Sequence, residues 1–131
     1  MKDTTRQWLS FVETDFRTCE KLLDDEFLTN IVAFHSQQVI EKCFKAIIEE
    51  QGLQLPRIHT LARLYGSIQN IITFSVDILM IQKTDTVYTT SRYPSDLGLV
   101  PEGKPSKELA AQLFAFAKYI YECTKKMIEY E

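Results

Sequence analysis

Three polar side chains that could bind a nucleotide recur along one face of a helical pattern. In the segment FHSQQVIEKCFKAII, Gln38 and Lys42 follow His35 by three and seven residues. Side chains spaced three or four residues apart lie on the same face of an α-helix. An imidazole, an amide and an ammonium group placed in this way could converge on one phosphate or one base. We therefore take this face as the first candidate site.

The same helix departs from an ordinary amphipathic pattern. Ser36 and Gln37 fall within its apolar arc, whereas Phe34 falls within its polar arc. Buried polar groups need partners, and an apolar residue on a polar face suggests a contact surface. Glu41 and Lys45 have the four-residue spacing of an ordinary, solvated ion pair. The polar face can therefore also be interpreted as a solvent-exposed surface or a dimer interface.

A second candidate group stands at the start of a long loop. The segment SRYPSDLGLVPEGKPS contains three prolines and two glycines and has no hydrophobic period, which predicts a loop longer than most. Arg92 presents a planar fork suited to phosphate, and the rings of Tyr88 and Tyr93 could stack on bases. The alternative is that Arg92 anchors the loop through a salt bridge to a carboxylate, the candidates being Asp15, Glu41 and Asp96.

Asp15, Arg57 and His59 are better explained as a structural polar network. Asp15 interrupts the apolar stripe of the first helical segment, and a buried carboxylate is seldom left unpaired. His59 stands two residues after Arg57, at the start of the third helical segment. A histidine there suits a helix cap or a partner for a buried carboxylate such as Asp15, although it could also carry a proton.

The sequence contains no local motif for metal binding, phosphate cradling or nucleophilic catalysis. Cys19, Cys43 and Cys123 are widely spaced within apolar helical patterns, which predicts buried thiols rather than a disulfide or a zinc site. The two histidines could share a metal only with a third ligand, which the sequence does not supply. We expect no metal, no cofactor and no catalytic residue.

Five segments with helical periodicity must position these side chains. They span roughly residues 5–25, 28–51, 59–68, 75–88 and 106 onward. Gly52 suits the end of the second helix, Ser75 is a plausible N-cap for the fourth, and Pro105 and Ser106 precede the fifth. No convincing strand alternation accompanies them. The predicted fold is an all-α, up-and-down bundle of four long helices and one short helix, forming a single domain over residues 1–131.

Composition and charge place the chain among ordinary globular domains. It contains 45% hydrophobic and 25% charged residues, and its net charge is −3. That balance argues against a broad phosphate-neutralising surface but permits a local basic site. No apolar stretch approaches the length of a membrane span, and the start of the chain does not resemble a signal peptide. We therefore expect a cytoplasmic protein without membrane contact.

Three segments in a fixed order carry a family resemblance. FHSQQVIEKCFKAII is followed by PRIHTLARL and later by YTTSRYPSD, after a first helix with Trp8, Asp15, Leu22 and Leu23. In this order and spacing the chain resembles, over nearly its whole length, the HEPN family of small prokaryotic helical-bundle proteins. The resemblance implies a bundle of four long helices and a short one. It also implies a homodimer and an adjacent gene for a minimal nucleotidyltransferase.

The ribonuclease toxins of that family are similar to one another in an R-x4-6-H motif, from which this chain departs. Arg57 precedes His59 by only two residues, no arginine stands at the required distance before His35, and no histidine follows Arg92. Metal-independent RNA cleavage needs a proton carrier beside a cation that stabilises the phosphorane charge. The missing motif argues against such cleavage.

We therefore predict a HEPN-type accessory or nucleotide-binding protein that acts with a minimal nucleotidyltransferase and has no ribonuclease activity of its own. Its nucleotide or RNA ligand would contact His35, Gln38, Lys42, Tyr88, Arg92 and Tyr93. Two alternatives stay open. The first is a ribonuclease toxin of a toxin–antitoxin pair that uses His35 and Arg92. The second is a non-catalytic dimerisation or interaction module built on the polar helix face and Phe34.

Overall fold

The computed structural model describes residues 1–91 and 104–129 of the chain. These residues form five α-helices and no strand: α1 (Asp3–Leu22), α2 (Thr29–Glu50), α3 (Leu61–Ile68), α4 (Ile78–Thr90) and α5 (Lys107–Glu129). The all-α bundle with one short helix, predicted from hydrophobic periodicity, is confirmed. None of the described helices combines the length and hydropathy that crossing a membrane requires.

Helix α2 lies at the centre of the bundle and contacts each of the other four helices. Its apolar arc forms most of the core with side chains from α3, α4 and α5, among them Ile40, Phe44, Leu64, Ile81 and Ile120. All of these side chains are almost completely buried. Each contributes about 1.5–3 kcal/mol through the apolar surface removed from water.

The polar side of α2 is covered by α1, which overturns one expectation. Glu41 and Lys45 do form the predicted ion pair, with Lys45 Nζ 2.9 Å from Glu41 Oε2. The expectation that this pair is solvated is wrong, because Glu41 is only 6% exposed and Lys45 only 8%. Side chains of α1, including Trp8, lie over this face of α2. A central helix has no face that is wholly exposed to solvent.

The end of α2 is set by Gly52, as the sequence predicts. Gly52 adopts φ +70°, a left-handed conformation that favours glycine. Its N–H donates to the carbonyl of Glu49, and the N–H of Leu53 donates to the carbonyl of Ile48. This pair of bonds is a Schellman motif, which satisfies carbonyl groups that the last turn of a helix leaves without partners.

Two other helix ends depend on carboxylates. Helix α4 begins at Ile78 with Asp77 as its N-cap, so the prediction of Ser75 in that role is wrong: Asp77 accepts bonds from the backbone N–H groups of Leu79 and Met80. Helix α3 begins at Leu61 rather than at His59. The carboxylate of Asp85, on α4, accepts the backbone N–H groups of Leu61 and Ala62 at 2.9 and 3.1 Å. A carboxylate from a neighbouring helix therefore caps α3.

Helix α5 begins as the sequence predicts. Its first residue is Lys107, immediately after Pro105 and Ser106. The hydroxyl of Ser106 accepts a hydrogen bond from the backbone N–H of Leu109 at 3.1 Å, the bond expected of an N-cap. The last helix therefore starts with a local cap that the sequence identifies.

Candidate functional site

Asp15 brings two of the candidate residues together. Its Oδ1 lies 2.7 Å from Nδ1 of His35, and its Oδ2 lies 2.6 Å from Nζ of Lys42. His35 and Lys42 are two turns apart on α2, so α1 supplies the carboxylate that joins them. We call Asp15, His35 and Lys42 the Asp15 centre.

The electrostatics of the Asp15 centre fix where one proton lies. Burial raises the pKa of Asp15, but hydrogen bonds from His35 and Lys42 more than offset this, so the pKa lies below its ordinary value. An ionised carboxylate only accepts hydrogen bonds, and Nδ1 of His35 must therefore carry the hydrogen between them. Nε2 is left as the ring nitrogen that can meet a ligand. The side chains of His35 and Lys42 are 26% and 21% exposed, so a ligand can reach both.

Gln38 lies between His35 and Lys42 on α2 and belongs to a second hydrogen-bonded chain. Its Nε2 donates to Oε1 of Gln37 at 2.7 Å, and Nε2 of Gln37 donates to Oε1 of Glu41 at 3.1 Å. The second oxygen of Glu41 accepts from Lys45 at 2.9 Å. We call Gln38, Gln37, Glu41 and Lys45 the amide relay.

Two aromatic rings of α1 lie against the lysines of these clusters. Nζ of Lys42 is 5.7 Å from the ring centroid of Phe11, and Nζ of Lys45 is 5.3 Å from that of Trp8. Both distances allow a cation–π attraction. Phe11 is nevertheless 58% exposed, which leaves an apolar ring at the edge of the Asp15 centre.

A series of aromatic ring contacts connects Tyr88 to the Asp15 centre. The ring of Tyr88 stacks on Phe34 with centroids 5.5 Å apart, and the rings of Phe34 and His35 meet edge to face with centroids 5.1 Å apart. Phe34 is therefore partly buried. Tyr88 lies in the last turns of α4. The predicted contacts of Arg92 and Tyr93, which follow α4 in the sequence, fall outside the described residues.

The residues predicted as a structural network do not form one cluster. Asp15 pairs with His35 and Lys42, whereas Nδ1 of His59 lies 3.1 Å from Nζ of Lys45 and 3.6 Å from Oε2 of Glu41. His59 thus extends the amide relay at the opposite end from Gln38. Arg57 is exposed and makes no ion pair with another described residue. The structure places His59 against Glu41 rather than against Asp15.

Sequence reasoning missed the contributions of Gln37, Trp8 and Phe11. Gln37 was recognised as a polar residue in the apolar arc, but its link from Gln38 to Glu41 requires side-chain geometry. Trp8, Phe11 and Asp15 are spaced by three and four residues, so they share one face of α1. That spacing could have indicated that two aromatic rings flank the carboxylate.

Thiol and metal chemistry have little support near this site. Burial raises the pKa of Cys19 to about 11 and that of Cys43 to about 12, so both thiols stay protonated and unreactive near neutral pH. Cys123 is partly exposed. Within residues 1–91 and 104–129, no three histidine, cysteine or acidic side chains are grouped so as to hold a metal ion.

Comparison with known proteins identifies the class. The family model of the HEPN domain matches residues 5–127, so the chain belongs to the HEPN domain family. The fold is similar to the crystal structure of ST0689, an archaeal HEPN homologue, with a TM-score of 0.73 and 25% sequence identity. That match covers 98% of this chain and 99% of the archaeal chain. No curated protein matches the sequence.

Proposed function

We propose that the protein is a HEPN-type accessory protein that binds a nucleotide at the Asp15 centre. The observation that carries the proposal is that one buried carboxylate holds an imidazole and an ammonium group side by side, both within reach of solvent. Side chains held in place before binding lose less entropy when a ligand arrives. Lys42 would donate to a phosphate oxygen, and Nε2 of His35 would provide a second polar contact.

The charge balance of the centre explains why two residues that follow α4 in the sequence belong to the proposal. The Asp15 carboxylate cancels the charge of Lys42, so a phosphate needs a further cation. Arg92 is the nearest arginine in sequence to Tyr88, whose ring stack leads to His35. We therefore include Arg92 as the phosphate ligand and Tyr93 as the residue that stacks on the base.

The proposed partners are a second copy of the chain and a minimal nucleotidyltransferase. Membership of the HEPN family supports both, because the family resemblance implies homodimers and adjacent nucleotidyltransferases. A nucleotide-binding accessory protein also suits an enzyme that consumes nucleotides. Sedimentation velocity of the purified protein tests the dimer, for which a monomer at micromolar concentration would be the contrary result.

Calorimetric titration with ATP tests the nucleotide site. We expect one site per chain, and a loss of about ten- to hundredfold in affinity for Lys42→Met, since a hydrogen bond to a charged group contributes about 1.5–3 kcal/mol. Lys118→Met is the matched control, because Lys118 is exposed on α5. Arg92→Ala should abolish detectable binding. The emission of Trp8, the single tryptophan, shows whether each variant is folded. Titrations of the wild type with ATP, GTP, CTP and UTP that all produce no heat would refute the proposal.

A ribonuclease toxin is the second candidate, and the Asp15–His35 hydrogen bond favours it. A carboxylate that orients an imidazole through Nδ1 leaves Nε2 placed to act as a general base. Arg92 would stabilise the negative charge of the phosphorane. This candidate predicts that the purified protein cleaves RNA, that expression arrests growth, and that His35→Ala removes both effects. If RNA stays intact after incubation with the wild-type protein, the ribonuclease candidate is refuted.

A further inference from the structure

We propose that the amide relay makes the nucleotide site selective for adenine, with Gln38 as the residue that contacts the base. This inference rests on the proposed function and goes one step beyond it, from a nucleotide to a base. It follows from the direction in which hydrogen bonds run along the relay.

The ion pair at one end of the relay leaves only one arrangement of donors and acceptors. Lys45 has only donors, and the carboxylate of Glu41, paired with it, has only acceptors. Gln37 must therefore direct its NH₂ group toward Glu41, at 3.1 Å. Its carbonyl oxygen is then the group that faces Gln38, and it accepts from the NH₂ group of Gln38 at 2.7 Å. The ion pair thus determines which way the Gln38 amide is turned.

The remaining edge of Gln38 is the one that the proposal assigns to the base. One N–H of its amide is used by Gln37, which leaves the carbonyl oxygen and the second N–H. None of the residues 1–91 and 104–129 donates a hydrogen bond to that oxygen. Gln38 is partly exposed, and it lies one turn from His35 and one turn from Lys42 on the same helix face. A base would therefore meet an acceptor and a donor side by side.

This pair of groups matches adenine and opposes guanine. An amide pairs with adenine by accepting from the N6 amino group and donating to N7. Guanine has a carbonyl oxygen, O6, in place of the amino group, so two acceptors would face each other. A well-formed pair of this kind discriminates against the wrong base by about ten- to hundredfold in affinity. The side chain cannot turn over to suit guanine without breaking the bond to Gln37.

Titrations with ATP and GTP test the inference in the wild-type protein. We expect ATP to bind about ten- to hundredfold more tightly than GTP. Equal affinities for the two nucleotides would overturn the adenine inference while leaving the proposed nucleotide site intact. Failure of every nucleotide to bind would overturn the proposed function, and the inference with it.

Glu41→Gln tests whether the relay causes the selectivity. The new amide can accept from Lys45 and donate to Gln37, so Gln37 and then Gln38 would turn over and present a donor where an acceptor stood. We expect the preference for ATP over GTP to fall at least tenfold in this variant. Glu20→Gln, on the exposed side of α1, is the matched control and should keep the preference. A Glu41→Gln variant that is folded and retains the full preference would contradict the relay.

Gln38→Leu provides a second test that does not disturb a buried charge. Its side chain is partly exposed, so the fold should persist, which the emission of Trp8 would verify. We expect the affinity for ATP to fall by more than the affinity for GTP. Equal losses for both nucleotides would show that Gln38 contacts something other than the base and would overturn the inference.

Discussion

Asp15→Asn should destabilise the protein, because the carboxylate is the only described group that joins His35 and Lys42. The substitution keeps the size of the side chain and removes its charge. Loss of one member of a fully buried ion pair costs about 3–5 kcal/mol. Here the partners keep 26% and 21% of their side-chain surface, so water can reach them, and we reduce the expected loss to about 2 kcal/mol. For 131 residues this corresponds to a fall of about 7 °C in Tm.

Thermal and urea denaturation followed by the emission of Trp8 measures this loss directly. Asp3→Asn is the matched control, because the Asp3 side chain is 93% exposed and its ion pair with Arg6 lies on the surface of α1. It should change the free energy of unfolding by no more than about 0.5 kcal/mol. A loss for Asp15→Asn no larger than that of the control would refute the view that the Asp15 centre stabilises the fold.

The dependence on pH gives the same prediction an independent test. The folded protein lowers the pKa of Asp15, and its stabilising contribution is therefore fully present above the pKa of the unfolded chain. It is lost as the pH falls through the lower, folded value. We expect the difference between the wild type and Asp15→Asn to shrink below about pH 4. A difference that stays constant down to the acid transition would contradict the argument.

Three further predictions concern the fold that holds the site. Gly52→Ala should lower the free energy of unfolding by about 1 kcal/mol, because Gly52 has a positive φ. Gly66→Ala should raise it by about 0.5–1 kcal/mol, because Gly66 lies within α3 and there is open space around the added Cβ. Urea denaturation compares the two variants, and equal effects would contradict the prediction. Asp85→Ala should cost about 1–2 kcal/mol and speed amide exchange in the first turn of α3, and unchanged exchange would argue against the cap. Tyr121→Phe removes a hydrogen bond to the Glu13 carboxylate and should cost about 1 kcal/mol in the same denaturation assay, where no loss would show that bond to be unimportant.

Hydrophobic periodicity predicted the helices well because it is a local property of the chain. The segments ending near Gly52 and beginning after Ser106 were placed closely, since the end signals are local residues. The start of α3 was missed because its cap comes from Asp85 on another helix. The start of α4 was misplaced because Ser75 and Asp77 are both good caps, and only the structure shows which one accepts the helix N–H groups.

The candidate site was predictable in composition but not in connectivity. The spacing of His35, Gln38 and Lys42 correctly indicates one helix face. The group that joins two of them, Asp15, is distant in sequence, and its expected partner could equally have been His59 or Arg92. The burial of Glu41 could not be predicted either, because it depends on where α1 packs rather than on the sequence of α2.

The central position of α2 determines what a mutational scan of this protein can reveal. Most residues of this helix are buried, including polar ones, so substitutions at most positions should lower the yield of folded protein. Sensitivity along α2 therefore cannot by itself separate residues that serve the ligand from residues that serve the fold. The informative positions are three of the partly exposed ones, the ligand candidates His35, Gln38 and Lys42. If conservative substitutions at these positions leave the abundance of folded protein unchanged but weaken nucleotide binding, the scan would distinguish the two kinds of constraint within one helix.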